Sequence, residues 1–434
     1  MRVLYTGDQD FESQFGRLRA PLLPEQLLFE RRQEMAAVEE TISRVRRDGD
    51  RALCELTQRF DNANLTPEQI RVDRSVLTKA ADDLEPELRS AIELSIANVR
   101  RYQEHLKVWP NLGIVRPGVE LRTRYRPINR VGVYVPGGSA PLFSTLIMTA
   151  VPAQVAGVRQ IGVASPPRYS GQVHPVMLGV CGLLGIDEVY QVGGAQAIAA
   201  MALGTETIQP VDKILGPGNT YVQLAKKAVF GIVDVESFAG QTEIVVIADE
   251  TAQARFVAAD MIGQAEHAPG SALLLTPSRE LAQRVTGQID VLLQRSARSE
   301  ATRKCLDESS AIVVTESLDE AVALSNRIAP EHLSVQTKDP DAVAQRCENA
   351  GAIFVGAFTS EAVGDYVAGP SHVLPTGGTA RFFSPLNVMD FMRHTSVIKY
   401  DRSALRRVYP ALEAMTQVEQ LPGHLLSATV RLED

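Results

Sequence analysis

Glu331 and His332 stand side by side in RIAPEHLSVQT (327–337), directly after Ala329-Pro330 and ahead of an alternating, strand-like run. A histidine near its reference pKa can take a proton from an alcohol, and a carboxylate can take one from water. Neighbours on a strand point to opposite faces, but in a turn both can reach one cleft. The pair therefore suits two proton abstractions at one place; a surface acid beside a packed histidine would read the same way. In DMIGQAEH (260–267), Gln264 and His267 lie three apart on a predicted helix, which puts both side chains on one face near its C-terminal end. That spacing can share a metal, although a glutamine carbonyl is an uncommon ligand and helix capping fits equally. Asp365 in GDYVAGPSH, His372 in the same segment and His424 in LPGH are further candidates, too scattered for anything but tertiary folding to gather.

Glycine-rich turns follow the predicted strands: YVPGGSAP (134–141), VGGAQA (192–197) and LGPGNTYV (215–222), with FAGQTE (238–243) bridging two halves of the chain. Glycines at strand ends let a ligand approach the backbone, and helix N-termini just beyond favour phosphates, so a dinucleotide is the natural occupant. No GxGxxG is present, and glycine turns also close ordinary βα loops.

The elements that must position these residues follow from the pattern. From about residue 24 to Trp109, apolar residues recur at helical spacing, as at Val38, Ile42 and Val45, so the first hundred or so residues read as helical. After Arg130, short apolar runs alternate with helical stretches, and the same rhythm restarts at TEIVVIAD (242–249). Such alternation means βαβ units and a parallel sheet, here as two successive units of similar length. From about Thr376 the text is irregular, and it ends in a helix-like SALRRVYPALEAMTQVEQ. That tail carries its own apolar face and needs something to pack on, either its own sheet or a second subunit.

With 434 residues, the chain is long enough for two or three packed units. A net charge of -8 argues against nucleic-acid or anionic-membrane partners. No run reaches the roughly 18 apolar residues of a membrane span, and the N-terminus lacks a secretory apolar region, which together point to a cytoplasmic protein. Cys54, Cys181, Cys305 and Cys347 are far apart with no CxxC, so neither a zinc knuckle nor a disulfide framework is indicated. Cys305 and Cys347 fall in predicted helices, unsuited to a strand-end thiol nucleophile.

Taken together, GVYVPGG, GGAQAIAA, GPGN.YV..AK, QAEH, N.IAPEH, GAIFVG, GDY.AGPSHVLPTGG.ARF.SPL..MDF and the terminal E...GH resemble histidinol dehydrogenase, in matching order from the N-terminal helices to the last ten residues. The resemblance implies an α/β fold of two Rossmann-like parallel-sheet units, an incomplete duplication, with a helical N-terminal region and a C-terminal extension that swaps onto a homodimer partner. Its domains would be an arm (1–24), a first α/β domain (25–130 and 236–375) carrying zinc and the catalytic residues, a dinucleotide-binding domain (131–235) and a dimerisation extension (376–434). The implied reaction is a four-electron oxidation of L-histidinol through the aldehyde to L-histidine with two NAD, the last step of histidine biosynthesis. The family's zinc ligands map to Gln264, His267, Asp365 and His424. His332 would take the hydroxyl proton and Glu331 would activate water for the second oxidation. Dinucleotide contacts map to Tyr134, Gln196 and Asn219. Substrate contacts map to Gln264, His267, His332, Asp365, Glu419, His424 and a serine position occupied by Thr242, with His372 as a further pocket residue. Two departures bear on the substrate: AGQTE stands where AGPSE is usual, and GPSH replaces GPNH. A zinc- and NAD-dependent relative acting on another small polar alcohol, such as a sulfonated diol, and a silent nucleotide-binding homologue are the competing readings.

Overall fold

The computed structural model describes residues 1–23, 30–107, 113–137, 141–238, 240–267, 270–295 and 299–433. The start of the expected helical region at 24–29, its end at Trp109, residues 138–140 of the first strand-end loop and Ala239 of FAGQTE lie outside the described residues.

In chain order the strands are β1 (Arg2–Tyr5), β2 (Gly113–Arg116), β3 (Val119–Pro127), β4 (Arg130–Tyr134), β5 (Gln160–Ala164), β6 (Glu188–Tyr190), β7 (Lys213–Leu215), β8 (Asp234–Val235), β9 (Thr242–Ala248), β10 (Gly270–Thr276), β11 (Ala311–Val314), β12 (His332–Gln336), β13 (Ala352–Val355) and β14 (Met392–Tyr400). Two parallel sheets form. One runs β6-β5-β4-β7-β8 and the other β1-β11-β10-β9-β12-β13. Leaving β1 aside, each unit places its strands in the order third, second, first, fourth, fifth. The expected doubled α/β architecture is thus borne out, and the two units also share one strand order. β9, β10, β11 and β12 are almost entirely buried, because helices cover both faces of the sheet; β9, β10 and β11 carry apolar runs for that reason, whereas β12, HLSVQ, alternates although it is equally buried.

Three features differ from the sequence expectation. Residues 2–5 are a strand, not part of a helical region; β1 pairs in parallel with β11, Arg2 opposite Ala311, a contact of long sequence separation that local pattern does not carry. The stretch read as irregular after Thr376 contains the nine-residue β14, antiparallel to β3, and eight of its nine residues are exposed, so no buried-face alternation marks it. Lastly, the helices between residues 32 and 106, expected with the 236–375 sheet, pack on helices of the 131–235 unit. Arg32–Asp61 lies on Gly194–Leu203 and Thr220–Val229, and Arg74–Asp82 lies on Pro175–Leu183. That last approach requires glycine: a Cβ on Gly182 would stand 2.5 Å from the Leu77 carbonyl oxygen.

The helix Pro86–Leu106 packs on Phe143–Ala156 and also reaches the other unit, Ser95 Oγ donating to the Tyr366 carbonyl (2.6 Å) and Asn98 Nδ2 to that of Val367 (2.8 Å). It thereby ties the two sheets together beside Asp365. In the C-terminal extension the helices Arg402–Val418 and Pro422–Thr429 each bury a single residue, Ala404 and Ala428, and leave Met415, Val418, Leu421, Leu426 and Val430 exposed.

Candidate active site

In an open parallel sheet a crevice forms where the strand order reverses, here between β4 and β7 and between β9 and β12. The two units use opposite ends of that crevice. In the 131–235 unit the candidate residues sit at strand carboxyl ends, as expected. Tyr134 closes β4, Gln196 opens the helix Gly194–Leu203 after β6, and Asn219 caps the helix Thr220–Val229 after β7, accepting from the Val222 N–H (3.1 Å). The buried Tyr134 hydroxyl accepts from the Gly194 N–H (3.1 Å), and burial raises its pKa. Gln196 Nε2 is buried without a partner. Gly216 has φ +110°, and a Cβ there would lie 1.9 Å from the Tyr134 carbonyl oxygen, so the turn before Asn219 accepts only glycine. A buried pair, Lys226 Nζ to Glu236 Oε1 (2.7 Å), holds this turn from below, with Lys226 also donating to the Gly216 carbonyl (2.7 Å). The positive N-terminal ends of these two helices make this half hospitable to an anion.

In the 236–375 unit the carboxyl-end rule does not hold: Thr242 and His332 are the first residues of β9 and β12. The helices that return from the sheet end on the same side. Gln264 is in the last turn of Ala254–Ala265, and Asp365 is next to last in Glu361–Tyr366. His267 lies in the turn beyond Ala265, so it does not share a continuous helix with Gln264 as the spacing had implied. Helix C-termini carry partial negative charge, so this half suits a cation.

Between the halves is a cleft of about 190 Å³, lined from one side by Leu142, Ser144, Thr145, Pro217 and Glu236, and from the other by Thr242, His267, Glu331, His332, Glu361, Asp365, Tyr366, His372, Val373 and Leu374. Ala329, at φ +50°, and Pro330 end the helix Leu318–Ile328 and turn the chain so that Glu331 and His332 both reach this space. His332 Nδ1 donates to the Glu243 carbonyl (3.2 Å), which fixes the tautomer and leaves Nε2 buried, unpartnered and basic. Burial pushes its pKa down to about 4, so the ring is neutral at pH 7. Glu331 Oε2 accepts from Thr242 Oγ1 (2.5 Å) and from the Glu243 N–H (3.0 Å), yet burial outweighs both donors and pushes its pKa up to about 8.

Thr242 settles the orientation of Gln264. With its proton donated to ionised Glu331, it accepts from Gln264 Nε2 (2.8 Å), and Gln264 Oε1 is left buried with no partner. That bare carbonyl oxygen, the His267 imidazole and the Asp365 carboxylate are donors of the kinds a divalent ion takes; His267 and Asp365 line the cleft, and Gln264 is buried and bonded to Thr242 of its wall. Among the described residues no three His, Cys, Asp or Glu side chains by themselves could hold a metal. Glu419 and His424 are exposed on the C-terminal extension and do not line the cleft of their own chain. His372 does line it, its Nδ1 donating to the Asp365 carbonyl (2.9 Å).

Sequence reasoning missed Glu361 and Asp260. Glu361 Oε1 is 3.6 Å from His332 Nδ1 and Oε2 is buried without a partner; burial raises its pKa well above the usual range. It lies one helical turn before Asp365, and that spacing was available to flag it. Asp260 accepts from Gln336 Nε2 (2.8 Å), and burial pushes its pKa up to about 6. Cys305 and Cys347 are buried away from the cleft, Cys347 just beyond the short helix Pro340–Ala344 rather than within a helix.

Comparison with known proteins finds relatives over nearly the whole chain. The family model described as histidinol dehydrogenase matches residues 28–432. Histidinol dehydrogenase of Halalkalibacterium halodurans is 45% identical over 399 residues, covering 92% of this chain and 94% of its own. Histidinol dehydrogenase 2 of Nostoc sp. is 43% identical over 436 residues, covering 100% and 99%. The crystal structure of histidinol dehydrogenase from Elizabethkingia anophelis superimposes with a TM-score of 0.91 at 35% identity, covering 100% of this chain and 98% of that one. With the family model and relatives spanning nearly its whole length, the chain belongs to the histidinol dehydrogenase family.

Proposed function

We propose that the cleft oxidises L-histidinol through the aldehyde to L-histidine, with NAD in the 131–235 half and a zinc ion in the other. The observation that carries this reading is an unpartnered neutral imidazole nitrogen in the cleft, His332 Nε2, together with an unpartnered carbonyl oxygen, Gln264 Oε1, on a buried side chain bonded to Thr242 of the cleft wall, the first suited to take an alcohol proton and the second to hold a cation. Family membership supports the substrate.

Gln264, His267 and Asp365 would hold the zinc, with His424 of a second copy completing the set, and the ion would orient the substrate's imidazole and amino nitrogens. NAD would accept a hydride in each of the two oxidations. His332 Nε2 takes the hydroxyl proton in the first, and Glu331, ionised, takes a proton from the water that hydrates the aldehyde in the second. Tyr134, Gln196 and Asn219 bind the dinucleotide. Thr242 meets the substrate beside Glu331, His372 closes the wall at Asp365, and Glu419 of the partner chain pairs with the substrate's amino group. The exposed apolar faces of the helices Arg402–Val418 and Pro422–Thr429 support a homodimer in which the extension is exchanged, and the chain works as a biosynthetic enzyme of the cytoplasm. No helix among the described residues is long and apolar enough to cross a membrane.

The test is NADH formation from L-histidinol against other small polar alcohols, sulfonated diols included, before and after chelation. Two NADH per histidinol, lost on chelation and restored by zinc, is the expected result. Preference for another alcohol would overturn the substrate assignment, and full activity after verified metal removal would overturn the zinc.

A further inference from the structure

Glu243 closes the AGQTE motif and lines no part of the cleft, yet its backbone serves both bases. On a strand the N–H and C=O of one residue point to the same neighbouring strand, here β12. The Glu243 N–H donates to Glu331 Oε2 (3.0 Å), and its carbonyl accepts from His332 Nδ1 (3.2 Å). The side chain is clamped at right angles to that edge. Oε1 accepts from the Gly377 N–H (3.0 Å), and Oε2 pairs with the guanidinium of Arg19, the last residue of the helix Phe11–Arg19. Both partners of the pair are buried, Arg19 6% and Glu243 1% exposed.

We propose that Arg19 is a positioning residue, acting through its buried ion pair with Glu243 to hold the peptide edge that orients His332 and Glu331 together. The N-terminal helix then belongs to the catalytic apparatus without touching substrate. A buried pair that loses one member leaves an uncompensated charge, which forces the Glu243 side chain to move or to take up a proton. Either response shifts a backbone edge bonded to two bases, and a displacement of about 1 Å at a reacting group can cost about a hundredfold in rate. The consequence differs from that of altering either base: both half-reactions slow together, whereas the metal donors Gln264, His267 and Asp365 lie on other elements.

This inference rests on the proposed histidinol chemistry, and the experiment separates the two. Arg19→Ala, Arg19→Lys and Glu243→Gln are compared with wild type in each half-reaction, starting from L-histidinol and from L-histidinal, with kcat, KM, zinc content, far-UV circular dichroism and Tm recorded for each. The expected result is a folded Arg19→Ala protein whose kcat falls about tenfold or more in both half-reactions, with KM and zinc content within about twofold of wild type, and partial recovery in Arg19→Lys. A folded, zinc-loaded Arg19→Ala with wild-type kcat in either half-reaction overturns the proposal, as does a loss confined to KM or zinc. Should Arg19→Ala fail to fold, Glu243→Gln decides, because it keeps the shape and the Gly377 contact. Slowing of both steps supports the proposal, and unchanged kcat refutes it. A wild-type protein that does not turn over histidinol refutes the substrate reading instead.

Discussion

Thr242→Val exchanges a hydroxyl for a methyl of similar size at the one atom that joins the candidate metal donor Gln264 to the proposed water-activating base Glu331. Two bonds disappear: Thr242 Oγ1 to Glu331 Oε2 (2.5 Å) and Gln264 Nε2 to Thr242 Oγ1 (2.8 Å). Gln264 is fully buried, so its amide nitrogen keeps no acceptor, and a buried group left unpaired costs about 1–3 kcal/mol. Much of that cost appears as a lost preference for the orientation that presents Oε1, so zinc affinity should weaken by about 10- to 100-fold, the usual effect of removing a partner of a metal ligand. Glu331 loses one of the two donors that favour its ionised form. Its pKa, already about 8 through burial, must rise further, moving the pH dependence of aldehyde oxidation to higher pH. Zinc affinity measured by competition with a chromogenic chelator, and initial rates with L-histidinal from pH 6 to 10, test both parts. Thr242→Ser retains the hydroxyl and should behave as wild type. Zinc affinity within twofold of wild type in Thr242→Val, or a pH profile displaced downward, would refute the relay through Thr242.

His332→Ala should slow oxidation of the alcohol, whereas Glu331→Gln should largely spare that step and impair oxidation of the aldehyde; equal loss in both half-reactions for both variants, read by rapid-mixing NADH absorbance, contradicts the division of labour. His267→Ala should lose zinc while retaining its circular dichroism spectrum, and stoichiometric metal in the purified variant would remove His267 from the donor set. In metal-free protein, Glu331 has a folded-state pKa of about 8 against an ordinary 4.5, so the folded state binds a proton more tightly than the unfolded chain. The stability from that proton is fully present below about pH 4.5 and is lost as pH rises through 8. Glu331→Gln should therefore flatten the fall in Tm between pH 5 and 8, and an unchanged slope would mean that burial does not hold the carboxyl protonated.

The repeated strand–helix rhythm after Arg130 and the glycine turns at strand ends were legible in the sequence because a doubly covered parallel sheet demands unbroken apolar strands and tight βα turns. So was the pairing of Glu331 with His332, since Ala329-Pro330 must end a helix there. Other features depend on contacts between distant residues. β1 and β14 become strands only through partners more than 250 positions away, Ala311 for Arg2 and Pro127 for Met392. Which ends of the two sheets face each other, so that an anion-favouring and a cation-favouring half share one cleft, is a property of packing and leaves no local periodicity. The same holds at single residues. The sequence marks Thr242 as an unusual hydroxyl and Glu243 as part of a motif, but only tertiary structure makes the first a relay between Gln264 and Glu331 and the second a buried anchor for Arg19. Residue types and spacing state what chemistry is available; burial, which strips water from a group and dictates its partners, decides which atom is left free to perform it.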